Sequence, residues 1–327
     1  MIISRTPVRI SFFGGGTDIA EFYSKSYGAV LSTAIKKYVY VAINKKFDKK
    51  IRVSYSETET VDSLDQIKHK IIKECLKSRG VDSGIEVVTI ADIPGHGTGL
   101  GSSSALTVGL LNGLNFYTKR FQTLMDVAED ACDVEIKVLN KPIGKQDQYI
   151  AAVGGFRYIK FHSDGKVTTE PIGISADTMK ELQENLVSFY VSGAREGDEI
   201  LKDQKNNIKN RVSILEEMRD QAETGLNYLR RGDLASFGRL LDRAWALKSQ
   251  LSSKISTPDI RKYYETGMKA GALGGKLSGA GGSGFLTFYC EKTRQKALRE
   301  KFGGLKEMKI RLESEGSRII YYDHEVE

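Results

Sequence analysis

The stretch 94-PGHGTGLGSSSA-105 decides how the rest of the 327-residue chain is read. Gly95, Gly97, Gly99 and Gly101 alternate with other residues, three serines follow, and an apolar run begins at Ala105. Upstream, GIEVVTIADIP (84–94) reads as a buried strand ending at Pro94; downstream, ALTVGLLNGLNFY (105–117) has the length and texture of a helix. Glycines at this junction free the backbone amides to turn toward a ligand, and Ser102–Ser104 are placed to cap the helix. An amide nest at a helix N-terminus favours a phosphate. A serine-capped glycine turn with no ligand has the same composition, so the loop alone leaves both readings open. It is not a P-loop, because Ser102 stands where the lysine would follow the last glycine. It is not a dinucleotide fingerprint either, because Gly97, Gly99 and Gly101 are spaced two and two.

Composition narrows the partners. Hydrophobic content of 40% with 28% charged residues describes a globular chain, and a net charge of +7 favours anionic ligands. No basic run interleaved with aromatics and no zinc-ligand spacing supports nucleic-acid binding. Lys45, Lys46, Lys49, Lys50 and Arg52 lie among polar residues and read as a solvated surface. Three scattered cysteines (Cys75, Cys132, Cys290) suit a reducing cytoplasm rather than a disulfide framework. The opening MIISRTPVRISFF reads as a strand carrying arginines, not as a secretory signal. From Ile93 to Thr118 there is no Asp, Glu, Lys or Arg. The Pro, Gly, Ser and Thr of its first half would leave backbone unsatisfied in lipid, so a buried loop and helix is expected, with no membrane. The expected state is a cytoplasmic monomer or homodimer.

Along the chain, residues 1–60 alternate as strands, and Leu64, Ile67, Ile71, Ile72, Cys75 and Leu76 predict one helix over 64–78. A helix over 123–140 ends before Pro142, and 154–170 reads as a hairpin turning at Asp164-Gly165. After residue 176 come a strand (185–193), long charged helices (196–250), a second glycine-rich segment (271–290), and a helix or strand followed by a strand (305–323). The expectation is two α+β domains, 1–175 and 176–327.

Three further segments carry chemistry: 6-TPVRISFFGGGTD-18, 141-KPIGKQDQY-149 and 276-KLSGAGGSGF-285. Each is weak alone, since glycine turns abound and an isolated loop Asp is usually a turn former. With the opening loop they resemble the GHMP kinase superfamily over essentially the whole chain. PGHGTGLGSSSA is similar to its P-x-x-x-G-L-G-S-S-A signature, with Ser104 for the first alanine. KLSGAGGSGF is similar to its K-x-T-G-A-G-x-G-G, and TPVRISFFGGGTD to the sugar-kinase opening A-P-G-R-V-N-L-I-G-E-H-T-D.

The resemblance implies a GHMP kinase fold: an N-terminal ribosomal protein S5 domain 2-like domain, a C-terminal ferredoxin-like domain, and an active site in the cleft between them. It implies that Pro94, Gly95, Gly97, Gly99, Leu100, Gly101, Ser102, Ser103 and Ser104 cradle ATP phosphates. Ser102 or Ser103, with Glu135 twelve residues before Asp147, would bind Mg²⁺, Glu129 being the fallback. It makes Asp147 the acid that takes the substrate proton, puts Arg9 near the transferring phosphoryl, and has Asp18 grip sugar hydroxyls. Gly15, Gly16, Thr17, Gln146, Gly279, Ala280 and Gly281 would line the substrate. Phosphoryl transfer asks mainly for alignment and charge neutralisation, which these residue types supply.

GGGTD with GKQDQY, and FGRLLDRAWALKSQLSSKIS (237–256), resemble the bacterial D-glycero-D-manno-heptose 7-phosphate kinases. That implies phosphorylation of the anomeric C1 hydroxyl to the 1,7-bisphosphate, on the route to GDP-heptose for surface polysaccharide. A fucokinase-like sugar 1-kinase and a sugar- and ATP-binding regulator are the alternatives. A phosphorylated acceptor needs a second anion site, for which Lys145 and Arg195 are candidates.

Overall fold

In the computed structural model, described over residues 1–95, 97–192 and 197–323, the chain forms two sheets. The first half runs β1 (Ile2–Phe13), α1 (Ala20–Tyr23), β2 (Tyr27–Lys45), β3 (Ile51–Ser54), β4 (Thr58–Val61), α2 (Lys70–Ser78), β5 (Ile85–Ala91), α3 (Ser102–Tyr117), α4 (Leu124–Cys132), α5 (Gln146–Val153), β6 (Phe156–His162) and β7 (Val167–Pro171). It continues through α6 (Ala176–Asn185), β8 (Leu186–Val191), α7 (Gly197–Asn207), α8 (Val212–Arg231), α9 (Leu234–Gln250), α10 (Pro258–Lys269), β9 (Gly274–Leu277), β10 (Gly284–Tyr289), α11 (Gln295–Lys301), β11 (Glu307–Met308) and β12 (Arg318–Tyr322).

The larger sheet is ordered β12-β1-β2-β5-β3-β4, with β6 and β7 attached through β2; the smaller is β11-β8-β10-β9. The long β2 pairs β1 along one edge and, along the other, β6 with its first half and β5 with its second, so one strand serves three ladders. α3 is apolar all round because it is buried against β1 and β2. Gly109 and Gly113 permit that approach: a Cβ would lie 2.6 Å from Thr6 Oγ1 and 2.8 Å from Ile43 Cδ1, respectively. Between the sheets, Phe237 of α9 meets the rings of Phe12 and Phe13 edge-on, at centroid distances of 5.3 and 5.1 Å.

Several expectations change. The helix expected over 64–78 splits into a 3₁₀ turn (Leu64–Gln66) and α2. The Lys68 amide donates to Glu59 Oε2 at 2.8 Å, which removes that residue from a helical ladder, and α2 starts anew behind His69. β5 is not buried on both faces, for Ile90 is 64% exposed. The hairpin at Asp164-Gly165 forms as expected, Gly165 taking a φ of +88°. The C-terminal segment gives two strands, and β12 leaves the second sheet to pair with β1 in the first. α6, unmarked in the sequence reading, precedes β8. All three cysteines are free and buried. No helix among the described residues is long and apolar enough to cross a membrane.

Candidate functional site

The opening loop sits where the two sheets meet. Gly97, Gly99 and Gly101 have φ of +72°, +69° and +78°, a conformation that a side chain resists. The second glycine turn presses against the loop: Gly279 has φ +74°, and a Cβ on it would lie 2.4 Å from Gly99 Cα. Phe285 N donates to Thr98 O at 3.2 Å. The serines do not cap α3. Gly101 holds the N-cap position with no side-chain cap, and Ser102–Ser104 form the first turn. Their hydroxyls turn elsewhere, Ser102 Oγ to Gly95 O at 3.1 Å and Ser103 Oγ to Glu135 Oε1 at 2.6 Å. A first turn lacks intrahelical acceptors for its N–H groups, so the loop and helix start retain the donors an anion needs.

Arg9, 5% exposed on β1, locks three segments together. Its Nε and Nη2 donate to Asp147 Oδ1 and Oδ2, both at 2.7 Å, and its Nη1 donates to Gly99 O at 2.6 Å. Asp147 stands in the first turn of α5 rather than in a loop. Asp18, 2% exposed, accepts from Gly16 N at 2.9 Å, Gln146 N at 3.1 Å and Gln146 Nε2 at 3.3 Å. Burial, with the Asp147 charge adding to it, raises its carboxyl above the ordinary range. Gly144 makes room for it, since a Cβ there would fall 2.0 Å from Asp18 Oδ2. Asp18 thus braces the Gly14–Asp18 turn against α5. Thr17 Oγ1 closes that turn by donating to Gly14 O at 2.8 Å.

Below the helix start lies a third cluster. α4 runs into a wide π turn (Asp133–Val138), where Leu139 N reaches Val134 O at 2.9 Å. The turn brings Glu135, with 0% exposure, beneath Ser103. Glu135 Oε1 accepts from Ser103 Oγ and from Lys141 Nζ at 2.8 Å, and Oε2 accepts from Gln148 Nε2 at 2.8 Å. Lys141 Nζ also donates to Ser103 Oγ at 2.6 Å. These oxygens suit a hard divalent cation: one carboxylate and one hydroxyl, already gathered around an ammonium that stands in for a positive ion. Three or more His, Cys, Asp or Glu side chains do not cluster anywhere among the described residues, so a metal here would need phosphate oxygens to complete its shell. Glu129 has no part in the cluster.

Two buried lysines complete the site. Lys248 Nζ donates to Leu277 O at 2.9 Å and to Gly279 O at 2.5 Å; burial, then the charges of Lys276 and Arg9, hold its ammonium well below the usual range. Lys276 Nζ donates to Ser11 O at 3.1 Å and Phe12 O at 3.0 Å, and burial, then the charge of Arg9, bring it down to about 7. Lys276 heads the motif KLSGAGGSGF and Lys248 lies in FGRLLDRAWALKSQLSSKIS; Lys141 and Ser11 stand inside KPIGKQDQY and TPVRISFFGGGTD, whose reading gave them no role. Lys145 Nζ donates to Gly165 O at 2.9 Å and lies 5.3 Å from the Tyr23 ring centroid. Ala280 O accepts from Gln204 Nε2 at 3.3 Å, and Gly281 has φ +113°. Arg195 lies outside the described residues.

Comparison with known proteins agrees with this layout. The GHMP kinases N terminal domain matches residues 66–155, and the GHMP kinases C terminal domain matches 226–304. The chain is 29% identical to a D-glycero-alpha-D-manno-heptose 7-phosphate kinase of Campylobacter jejuni, over 92% of this chain and 94% of that protein. It is 26% identical to an L-fucokinase/L-fucose-1-P guanylyltransferase of Bacteroides fragilis, over 91% of this chain but only 35% of that protein. A D-glycero-D-manno-heptose 1-phosphate kinase from Bacteroides thetaiotaomicron superposes with a TM-score of 0.83 at 22% identity, covering 99% of this chain and 100% of its own. A Lactococcus lactis galactokinase bound to galactose gives 0.78 at 17% identity, covering 97% and 94%. The opening loop, Glu135 and Asp147 fall within the first family match and the second glycine turn within the second; the chain belongs to the GHMP kinases, phosphotransferases that use ATP as phosphate donor.

Proposed function

We propose that this chain is a sugar-phosphate kinase that moves the γ-phosphoryl of ATP to the anomeric C1 hydroxyl of D-glycero-D-manno-heptose 7-phosphate. The product is the 1,7-bisphosphate, an early intermediate toward GDP-heptose for surface polysaccharide. The observation that carries the reading is the Arg9–Asp147 fork set against Gly99, which puts a carboxylate and a guanidinium beside the phosphate loop. The Campylobacter jejuni relative supplies the sugar. The working cleft lies between domains 1–175 and 176–327.

The loop amides of Gly95–Gly101 and the first turn of α3 bind the ATP phosphates. Ser103 and Glu135 would hold Mg²⁺, which would supply positive charge to the ATP phosphates. Lys141 Nζ, which bonds both side chains, holds them together at that place. Asp147 takes the proton of the acceptor hydroxyl as its oxygen bonds to the γ-phosphorus and the bond to the ADP oxygen breaks. Arg9 orients Asp147 and sets its charge beside the moving phosphoryl. Lys145, with one N–H on Gly165 O and two left over, binds the distal phosphate together with Arg195.

The test is ADP release from Mg-ATP with a panel of acceptors: heptose 7-phosphate, fucose, mannose, galactose and mevalonate. Heptose 7-phosphate is expected to give the highest kcat/KM. A higher value with fucose would transfer the assignment to the fucokinase reading, which the Bacteroides fragilis relative also favours.

A further inference from the structure

Over Gly15 three polar groups surround a point that no side chain fills. A Cβ built on Gly15 would lie 3.5 Å from Gln146 Nε2, 3.5 Å from Ser11 Oγ and 3.9 Å from Lys276 Nζ. Each group has unused bonding capacity. Ser11 Oγ and Gln146 Oε1 are buried atoms with no hydrogen-bond partner in the protein. The Gln146 amide is oriented by its Nε2 bond to Asp18, which leaves the oxygen as the free end. Lys276 Nζ spends two positions on the Ser11 and Phe12 carbonyls and keeps one.

The backbone explains why these groups gather. The register of β1 against β2 shifts between Ser11 and Phe13, so Phe12 is an extra residue in a bulge. A bulge interrupts the ladder and re-aims side chains. Here the two carbonyls beside it fix the Lys276 ammonium. Buried polar atoms are almost always paired, and leaving one unpaired is costly, so the orphan Ser11 Oγ at this gap, with a second orphan on the same Gln146 amide that borders it, marks a place that a ligand completes.

We propose that Ser11, Gln146 and Lys276 form a polyhydroxyl subsite over Gly15. Gln146 Oε1 and Ser11 Oγ take neighbouring hydroxyls of the acceptor, and Lys276 Nζ holds the oxygen that is phosphorylated. Phosphate groups of the bound substrates favour the protonated amine, and as an ammonium it stabilises the negative charge that oxygen gains as its proton leaves for Asp147. The subsite rests on the sugar-kinase reading only for the name of its occupant.

Four variants test it: Ser11→Ala, Gln146→Leu, Lys276→Met and Gly15→Ala. Gly15→Ala is the cleanest, because its Cβ meets neighbours only at ordinary contact distances and its backbone is not left-handed. It should melt like the wild type while its acceptor KM rises about tenfold or more, the order of one lost hydrogen bond. Ser11→Ala removes a partnerless hydroxyl, so its Tm should hold or rise while the acceptor KM rises and the ATP KM stays. Gln146→Leu should raise the acceptor KM likewise, and Lys276→Met should chiefly lower kcat, by about 100-fold. Acceptor KM and kcat within twofold of wild type in both Ser11→Ala and Gly15→Ala would overturn the subsite while leaving the kinase assignment intact. If another alcohol of the panel proves the substrate and the variants raise its KM, the subsite stands and the heptose assignment falls. If none is turned over, and no sugar phosphate shifts the wild-type Tm with ADP present, both fall.

Discussion

At the residue scale, Lys276 makes the sharpest claim outside catalysis. Its ammonium ionises near 7 in the folded chain against an ordinary 10.5, because it is buried beside Arg9. Between those values the unfolded chain binds a proton that the folded chain does not, so this lysine's contribution makes stability rise with pH across the window. Equivalently, stability is lost as pH falls from 10.5 toward about 7. The slope is at most about 1.4 kcal/mol per pH unit. Lys276→Met lacks the term, so the wild-type Tm relative to this variant should fall steadily between pH 10 and pH 7.5. A difference that does not vary with pH would show that Lys276 keeps its proton throughout. Individual residues were legible in part. Arg9, Asp147, Asp18 and Glu135 stand at positions that a linear reading can mark; the structure brings Arg9, Asp147 and Glu135 to the loop and helix start, and Asp18 to the start of α5. Their partners were not legible, since Arg9 meets Asp147 across 138 residues and Glu135 meets Ser103 across 32. Asp18 also illustrates the limit: the motif marks it as a sugar ligand, and only the fold shows its oxygens taken by backbone and side-chain amides.

At the element scale, the two glycine turns work as one unit. Gly99→Ala should separate them, because the residue has φ +69° and its Cβ would sit 2.3 Å from Ser278 O. The backbone strain alone costs about 1–3 kcal/mol. Lower Tm and a higher ATP KM are expected, against Gly95→Ala as control, whose Cβ meets nothing within 4 Å. Equal ATP KM values in the two variants would mean that the contact between the turns does not shape the phosphate site. Hydrophobic period and glycine spacing announced α3, the hairpin and both turns. The break before α2 and the π turn carrying Glu135 were hidden for one reason: each depends on a bond to a distant or wide-turn partner, which leaves the local apolar pattern unchanged. The serines misled in a related way. Their type suits a cap, yet Gly101 takes that place and frees the Ser103 hydroxyl for Glu135.

At the scale of the whole molecule, the two sheets divide near residue 175 apart from one strand. β12 returns to β1, and Ser317 Oγ meets Thr6 Oγ1 at 2.8 Å and Asn112 Nδ2 at 3.0 Å. The strand that carries Arg9 is therefore flanked by β2 and, over Ile2–Arg5, by β12. The final strand's pairing with the first leaves no local trace, whereas the family motifs mark both glycine turns, which pack against each other where the sheets meet. The central claim is that this seam transfers phosphate from ATP to the anomeric oxygen of a heptose phosphate. Phosphorus NMR of the product formed from Mg-ATP and D-glycero-D-manno-heptose 7-phosphate tests it most directly, with Asp147→Asn as control. The account predicts a new phosphate signal coupled to the anomeric proton, one ADP per product, and a rate about 10²–10⁴ lower in the variant. A phosphate at any other carbon, or no product while another alcohol is phosphorylated, would contradict it.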